Sequence, residues 1–280
     1  MSILVNKRSR IVVQGLVESA GLQHTLAGRR YGHGRRCFVA GVGPSPLGGA
    51  LEGIPVFKTV AEARAATGAT TSVVYARPGH AAEAIDEAAE AGMELVVCVS
   101  NGVPPQDLSA LQARLQRRGT RLLGPGCAGV VTPGEVQVGA LPGDVHRRGR
   151  IGIVSRSVAL TAYVARHLAQ FGLGASTVVG LPQAGLHGLT HLELLKMFSE
   201  DDGTDAVLLV GSVGEDELQH CAEWIAQHME KPLVGYIEDG AGAAVQRSAL
   251  QACGVQLASD PALIGELTAS VVDCRWLPFD

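Results

Sequence analysis

The chain has 280 residues and a formal charge of −4, and 46% of its residues are apolar, which is enough to build one large or two ordinary domains around buried cores. Aromatic residues make up only 4%, which with the negative charge excludes a nucleic-acid reader with stacking platforms, so no nucleic-acid partner is expected. No apolar run reaches the length of a membrane span, and residues 1–8 lack the order of a signal peptide, so we expect a cytoplasmic protein without membrane contact.

Short apolar runs alternate with alanine-rich helical stretches through the first half of the chain. This alternation predicts repeated βαβ units and a mainly parallel sheet. The helix near 80–91 has the clearest pattern, because Ala81, Ile85 and Ala88 share one stripe before a stop at Gly92. In chain order the predicted elements are strand 11–14, helix 20–31, strand 37–40, helix 60–67, strand 72–75, helix 80–91, strand 95–99, helix 105–118 and strand 121–123.

The pattern breaks between Pro133 and Gly149 into glycine, proline and charge, which is typical of a connection between domains. A second α/β series follows, so the sequence predicts two domains, 1–143 and 144–280. In the second series the predicted elements are strand 152–155, helix 158–171, strand 176–179, helix 190–199, strand 206–210, helix 215–228, strand 233–236, helix 243–252, strand 255–257 and helix 261–273.

The six cysteines are scattered without CxxC spacing, which predicts reduced and mostly buried thiols and neither a disulfide framework nor a zinc site. Cys127 lies in a glycine-rich loop at a strand end, but nothing in the sequence indicates a depressed pKa, which favours a small buried residue over a reactive thiol. His187 and His191 have the spacing of two ligands on one helix face. Because no third ligand is in sight, no metal site is predicted.

The first predicted strand leads into a turn that contains Gly15 and Gly21. Glycine lets a backbone approach phosphate, and the helix N-terminus that follows supplies N–H donors and a partial positive charge. The spacing is not G-x-G-x-x-G, and Glu18 within the turn opposes an anionic ligand. On this turn alone, an ordinary strand-to-helix connection is the preferred interpretation.

Several segments, taken together and in this order, resemble the α subunit of succinyl-CoA synthetase. They include Gly-Pro-Gly-Cys-Ala-Gly-Val-Val-Thr-Pro-Gly-Glu at 124–135 and Gly-Ile-Val-Ser-Arg-Ser at 152–157, together with segments 1–7, 54–63, 66–75 and 231–237. The resemblance implies a Rossmann-like CoA-binding domain followed by a flavodoxin-like ligase domain. It also implies a β subunit with an ATP-grasp fold, which would carry ATP and Mg²⁺ in place of this chain.

The resemblance assigns CoA or acyl-CoA to the cleft of the first domain, but many ligand positions differ. The family has Thr-Gly-Ser-Gln in the turn that begins at Gly15, and the next loop of this chain lacks the family's lysine, for which Arg35 and Arg36 are candidate substitutes. CoA or another nucleotide-bearing ligand is therefore expected, with altered affinity. The candidate residues are Gly15, Val17, Glu18, Ser19, Ala20, Arg35, Arg36, Ser100, Asn101, Gly102, Pro125 and Cys127.

Ser155 and Ser157 stand between a predicted strand and the start of a helix in the second domain. Hydroxyls and uncovered N–H groups converge there with the helix dipole, which is typical of a phosphate site. In the family this helix faces the phosphorylated histidine, and both serines match. Simple capping of the helix is an equally good interpretation of the two serines.

The largest departure from the family follows Tyr236. The family continues through a loop to Gly-His-Ala-Gly-Ala, whose histidine carries phosphate, whereas this chain runs from Ile237 almost directly into the next helix. No histidine occurs from Lys231 to the end. The glutamate by which the family holds that histidine is Ser212 here. The resemblance therefore implies a scaffold without the phosphohistidine.

Three functions remain open. The first is an α-like subunit that joins an acid to CoA, or handles a related acyl phosphate, together with an ATP-grasp β-like subunit and without phosphohistidine. The second is a non-catalytic pseudoenzyme or scaffold that binds CoA or a nucleotide and supports a β-like subunit. The third is a CoA-dependent acyl or carbamoyl transferase, which the fold alone does not exclude. Small carboxylates or acyl phosphates are the expected substrates, and a hetero-oligomer or homodimer is the expected assembly.

Overall fold

The computed structural model describes residues 2–43, 49–77, 79–183 and 188–272. The chain divides between Gly143 and Asp144 into two compact units, with residues 2–3 joined to the second unit and Leu181–Leu189 to the first. Both units are α/β with mainly parallel sheets, so the predicted fold class is confirmed.

The sheet of the first unit has the strand order β3-β4-β2-β1-β5-β6-β7, and only β3 runs antiparallel to its neighbour. Chain order reverses on the two sides of β1, which makes the carboxyl ends of β1 and its neighbours the crevice where open α/β sheets bind ligands. The elements are β1 (Ile11–Gln14), α1 (Ser19–Arg30), α2 (Gly34–Cys37), β2 (Phe38–Val42), β3 (Ala50–Leu51), β4 (Ile54–Phe57), α3 (Val60–Thr67), β5 (Thr71–Val74), α4 (Ala81–Glu90), β6 (Leu95–Cys98), α5 (Pro105–Arg118) and β7 (Arg121–Leu123).

Strands β1, β5 and β6 are buried along their whole length, which explains why they are continuous rather than alternating apolar runs. Helix α4 packs on β5 and β6 with the predicted stripe, because Ala81, Ile85 and Ala88 are all fully buried. The helix is followed by Gly92, whose positive φ of 79° is the left-handed conformation that terminates helices.

The segment predicted to connect the domains contains a strand. Strand β9 (Val136–Gly139) lies within it and forms an antiparallel hairpin with β8 (Gly129–Thr132), which the sequence did not predict. Helix α1 packs on β9 so closely that a Cβ on Gly28 would lie 2.7 Å from the carbonyl oxygen of Gln137. Tertiary packing thus gives strand structure to a run too short to be read from periodicity.

The second unit has parallel strands in the order β14-β13-β12-β10-β11. The predicted helix 261–273 begins as a 3₁₀ turn at Pro261–Leu263, and its last residue lies outside the described ones. The elements are β10 (Arg148–Ser155), α6 (Val158–Gln170), β11 (Ala175–Gly180), α7 (His191–Glu200), β12 (Ala206–Val210), α8 (Glu215–His228), β13 (Leu233–Tyr236), α9 (Ala243–Ala252), β14 (Gln256–Leu257) and α10 (Ile264–Val271).

Among the helices that the structure describes, none is long and apolar enough to cross a membrane. Over the same residues, no group of three or more His, Cys, Asp or Glu side chains is arranged to hold a metal ion. Five cysteines are described and all are free thiols, while Cys274 lies outside the described residues.

Candidate functional site

The turn after β1 is built so that only glycine fits at its first position. Gly15 has φ = +82°, and a Cβ there would lie 2.1 Å from the carbonyl oxygen of Tyr75. Gly21 in α1 is equally constrained, because its Cβ would lie 2.2 Å from the carbonyl oxygen of Gly15. The two glycines allow the first turn of α1 to lie against the carboxyl end of β1, at the crevice, as a phosphate-binding turn requires.

Glu18 is the N-cap residue of α1, and its side chain makes no capping hydrogen bond. Arg77, from the segment after β5, donates from Nε to Glu18 Oε1 at 2.8 Å. The predicted repulsive charge in the turn is therefore offset by a cation, Arg77, that the sequence did not predict. The side chain of Arg77 is 74% exposed, whereas Val17, which precedes Glu18 in the turn, is 44% exposed and offers only apolar surface.

The loops after β6 and β7 come together at the same edge of the sheet. The N–H of Gly126 donates to the carbonyl oxygen of Ser100 at 2.9 Å, and the hydroxyl of Ser100 donates to the carbonyl oxygen of Ala76 at 2.9 Å. The amide oxygen of Asn101 lies 2.1 Å from the place that a Cβ on Gly126 would take. The second predicted group of ligand positions is thus brought together, with Asn101 exposed above it.

The thiols behind this edge are buried. Burial raises the pKa of Cys98 to about 12, and it raises the pKa of Cys127 still further. The same cause raises the pKa of Tyr75. Because all three groups stay neutral at physiological pH, they serve as packing for the cleft and not as its nucleophiles.

Arg35 and Arg36 are not brought to this edge. Both lie in α2, immediately before β2, and are therefore at the amino edge of the parallel sheet, whereas Gly15 follows the carboxyl end of β1. A four- or five-residue strand is about 13–16 Å long, so the length of the strand separates them from the turn. The expectation that they replace a phosphate-binding lysine is not supported by their placement.

In the second unit, Ser155, Arg156 and Ser157 form a closed turn between β10 and α6. The hydroxyl of Ser155 donates to the carbonyl oxygen of Ser157 at 3.0 Å and accepts from the N–H of Ser157 at 3.1 Å. Ser157 is the N-cap of α6, and its hydroxyl accepts from the N–H of Leu160 at 3.3 Å. The buried Ser155 therefore fixes the turn, while Ser157 presents its hydroxyl beside the uncovered N–H groups of the helix start.

A buried charged network lies beneath this turn and was not predicted. The side chain of Arg156 is only 9% exposed, and its Nη2 lies 3.9 Å from Glu217 Oε1. Glu217 Oε2 lies 3.0 Å from His191 Nδ1 and accepts from the N–H of His191 at 2.9 Å. Burial lowers the pKa of Arg156, and Glu217 opposes that change. His191 is thus held by a carboxylate, and His187 lies outside the described residues.

The connection after β13 is short. Residues 237–242 lead from Tyr236 to α9, and Arg247 on that helix donates to the carbonyl oxygen of Ile237 at 2.7 Å. The carboxylate of Glu238 approaches Gly211, the first residue after β12, with Oε2 3.7 Å from the place of a Cβ there. Arg156 Cβ lies 3.8 Å from the same place, so the ends of β10, β12 and β13 converge.

At the level of fold, this architecture is shared with solved enzymes that use coenzyme A. Residues 6–102 match the family model described as CoA binding domain. ATP citrate lyase from Methanothrix soehngenii, solved with citrate and coenzyme A, matches with a TM-score of 0.82 at 18% identity over 96% of this chain and 50% of that chain. The dinucleotide forming acetyl-coenzyme A synthetase 1 of Ca. Korarchaeum cryptofilum matches with a TM-score of 0.78 at 19% identity over 95% and 61%. This chain spans half of the first of these and three-fifths of the second.

The sequence comparison is more specific. The chain is 40% identical to the α subunit of the ADP-forming succinate–CoA ligase of Aquifex aeolicus, over 97% of this chain and 95% of the relative. It is 38% identical to the corresponding subunit of Staphylococcus aureus strain Mu50, over 95% and 93%. The chain therefore belongs to the family of succinate–CoA ligase α subunits, and the predicted resemblance is confirmed.

Proposed function

We propose that this chain is the α-type subunit of an acid–CoA ligase that works with an ATP-grasp β-type subunit and passes no phosphate through a histidine. The observation that carries the proposal is the connection after β13, where residues 237–242 lead to α9 without a histidine. The alignment with the Aquifex aeolicus relative covers 293 positions, more than the 280 residues of this chain. That relative therefore carries residues that have no counterpart here, as a shortened loop requires.

The reaction needs no phosphate relay if the acyl phosphate reaches CoA directly. The substrate carboxylate attacks the γ-phosphorus of ATP on the partner, which forms an acyl phosphate and releases ADP. The sulfur of CoA then attacks the acyl carbon, the bond from that carbon to the phosphate oxygen breaks, and phosphate leaves with the electron pair and takes up the thiol proton. A thioester, ADP and phosphate are the products.

Within this scheme each turn of the chain has a separate task. The turn at Gly15, with Arg77 beside Glu18, binds the phosphates of CoA through backbone N–H groups and one exposed guanidinium. The turn at Ser157 stabilises the departing phosphate through a hydroxyl and the N-terminus of α6. Ser155 and the network of Arg156 and Glu217 keep that turn rigid.

The test is to co-express the chain with an ATP-grasp β-type subunit and measure ADP formation with a panel of small carboxylates. We expect turnover that requires both chains, ATP, CoA and a carboxylate, with no acid-labile phosphohistidine on this chain by mass spectrometry. Detection of phosphohistidine here would contradict the proposed direct route. Absence of turnover with every carboxylate, despite CoA binding, would favour the second candidate.

The second candidate is a non-catalytic scaffold that binds CoA and stabilises a β-type subunit. It is favoured by the turn after β1, where Val17, Glu18 and Ala20 replace three of the four residues that the resemblance assigns to CoA. ADP release separates the two candidates. A scaffold raises the thermal stability of its partner without ADP release, whereas a ligase subunit supports ADP release.

A further inference from the structure

A cavity of about 240 Å³ lies at the amino edge of the first unit's sheet, at the opposite ends of the strands from the turn at Gly15. Its walls come from the segment before β1 and from the amino ends of β5, β6 and β7. Nothing in the proposed ligase chemistry uses this edge of the sheet. The cavity is therefore a separate feature of the CoA-binding unit.

Three charged side chains line the cavity, Arg8, Glu94 and Arg121, and all three are exposed. Within the part of the chain that the structure describes, none of these side chains makes a hydrogen bond or an ion pair. Two guanidinium groups and one carboxylate thus face one space without neutralising each other at contact distance.

The segment that carries Arg8 is held in a defined conformation. The N–H of Arg8 donates to Asn6 Oδ1 at 2.8 Å, and the N–H of Asn6 donates to the hydroxyl of Ser9 at 2.9 Å. Leu4, also in the wall, has a positive φ of 66°, which is uncommon for a residue with a side chain and costs about 1–3 kcal/mol. The wall is therefore preorganised, as a binding site requires.

The size and the charges of the cavity indicate a ligand class. Its volume of about 240 Å³ is far above the roughly 10–15 Å³ that a single water requires, so the space can admit a small metabolite. Guanidinium groups bind carboxylates in a planar, paired geometry, and a carboxylate accepts from an ammonium. Two cations and one anion complement two carboxylates and one ammonium. We propose that this cavity binds a small amino dicarboxylic acid, with its carboxylates on Arg8 and Arg121 and its ammonium on Glu94.

The test is isothermal titration calorimetry of the full chain with L-aspartate and L-glutamate, in the absence of CoA, ATP and any partner. We expect saturable binding of at least one of the two, and a loss of about tenfold or more in affinity in Arg121→Ala and Arg8→Ala. The matched control is Arg117→Ala, an exposed arginine in the last turn of α5 outside the cavity, which is expected to leave the affinity unchanged.

A second comparison tests the ammonium position. Glu94→Gln is expected to weaken the amino dicarboxylic acid about tenfold while leaving the affinity for succinate, which has no ammonium, unchanged or tighter. No saturable binding up to 10 mM by the wild-type chain, or equal binding by wild type and Arg121→Ala, would overturn the proposal. Because the assay contains no ligase reaction, its failure leaves the proposed function unaffected, and failure of the ligase assay leaves this site unaffected.

Discussion

The turn after β1 and the turn after β10 share one architecture, a parallel strand that leads into a helix, but they differ at the N-cap. The cap of α1 is Glu18, a carboxylate neutralised by Arg77, whereas the cap of α6 is the uncharged Ser157 beside the buried Arg156. The backbone contacts that set the first turn, at Gly15 and Gly21, are intact. The close backbone contacts maintain the fold of each turn, and we expect the cap residue to determine which ligand each turn accepts.

The largest effect is expected when the second turn receives the charge of the first. Ser157→Asp keeps a good N-cap for α6, so the fold is retained, but it places a carboxylate at the turn that we propose stabilises the departing phosphate. We expect ligase turnover to fall by about a hundredfold or more, while CoA binding is unchanged. The matched control is Ser248→Asp, an exposed position in the middle of α9, which is expected to be neutral. Normal turnover in Ser157→Asp would remove this turn from the mechanism.

The next largest effect separates backbone freedom from close contact at the first turn. Gly15→Ala forces a Cβ to 2.1 Å from the carbonyl oxygen of Tyr75 at φ = +82°, and we expect it to cost about 3 kcal/mol or more of unfolding free energy. Gly79→Ala is the control, because Gly79 has φ = +85° with no atom within 4 Å of its Cβ position, and about 1 kcal/mol is expected. The two values are compared by urea denaturation, and equal losses would show that the contact with Tyr75 is relieved at little cost.

The sequence predicted the turn at Gly15 and the acid at Glu18, because both are local. It did not predict Arg77, because Arg77 and Glu18 are 59 positions apart in the sequence. Only the pairing of β1 with β5 brings the two side chains together. The prediction that Arg35 and Arg36 bind phosphate is not supported by their placement, since their position before β2 assigns them to the amino edge of the sheet. Proximity in sequence to a cleft residue is a poor guide when a strand lies between.

The second turn shows the same limit. Ser155 and Ser157 were predicted from their position between strand and helix, and the turn they form is local. The support beneath it comes from Glu217 and His191 on α8 and α7, which only the folded sheet brings to Arg156. A lone buried histidine and a lone glutamate in a helix carry no sequence signal for such a network. The two serines of the turn could therefore be predicted from the sequence, whereas the residues that support the turn from α7 and α8 could not.

The two units are also expected to differ in how their stability depends on pH, because His146 in the second unit is more deeply buried than His24 in the first. His146 is 5% exposed, neither of its ring nitrogens has a hydrogen-bond partner among the described residues, and burial lowers its pKa to about 4. An unfolded histidine titrates near 6.5, so the unfolded chain takes up the proton first as pH falls. The stability that is present above pH 6.5 is therefore lost progressively between about pH 6.5 and 4.

His146→Leu is expected to remove about 2–3 kcal/mol of the stability difference between pH 7 and pH 4.5, measured by urea denaturation at both pH values. The control is His24→Leu, whose ring is half-buried and whose pKa is also lowered by burial, so a smaller change of the same sign is expected. An unchanged pH dependence in His146→Leu would show that the buried ring is not the group that titrates.

The smallest effect tests whether the charge at the first turn acts on CoA. Glu18→Gln removes the carboxylate that holds Arg77, so the exposed guanidinium becomes available to a phosphate and a repulsive charge disappears. We expect CoA to bind about three- to tenfold more tightly, with a steeper loss of affinity as salt is raised, because exposed charges are screened. Glu83→Gln on α4, whose carboxylate contacts only His80 among the described residues, is the matched control and is expected to be neutral. Weaker CoA binding in Glu18→Gln would mean that the Glu18–Arg77 pair itself shapes the turn, and that the cap residue of α1 stabilises the fold instead of tuning its ligand.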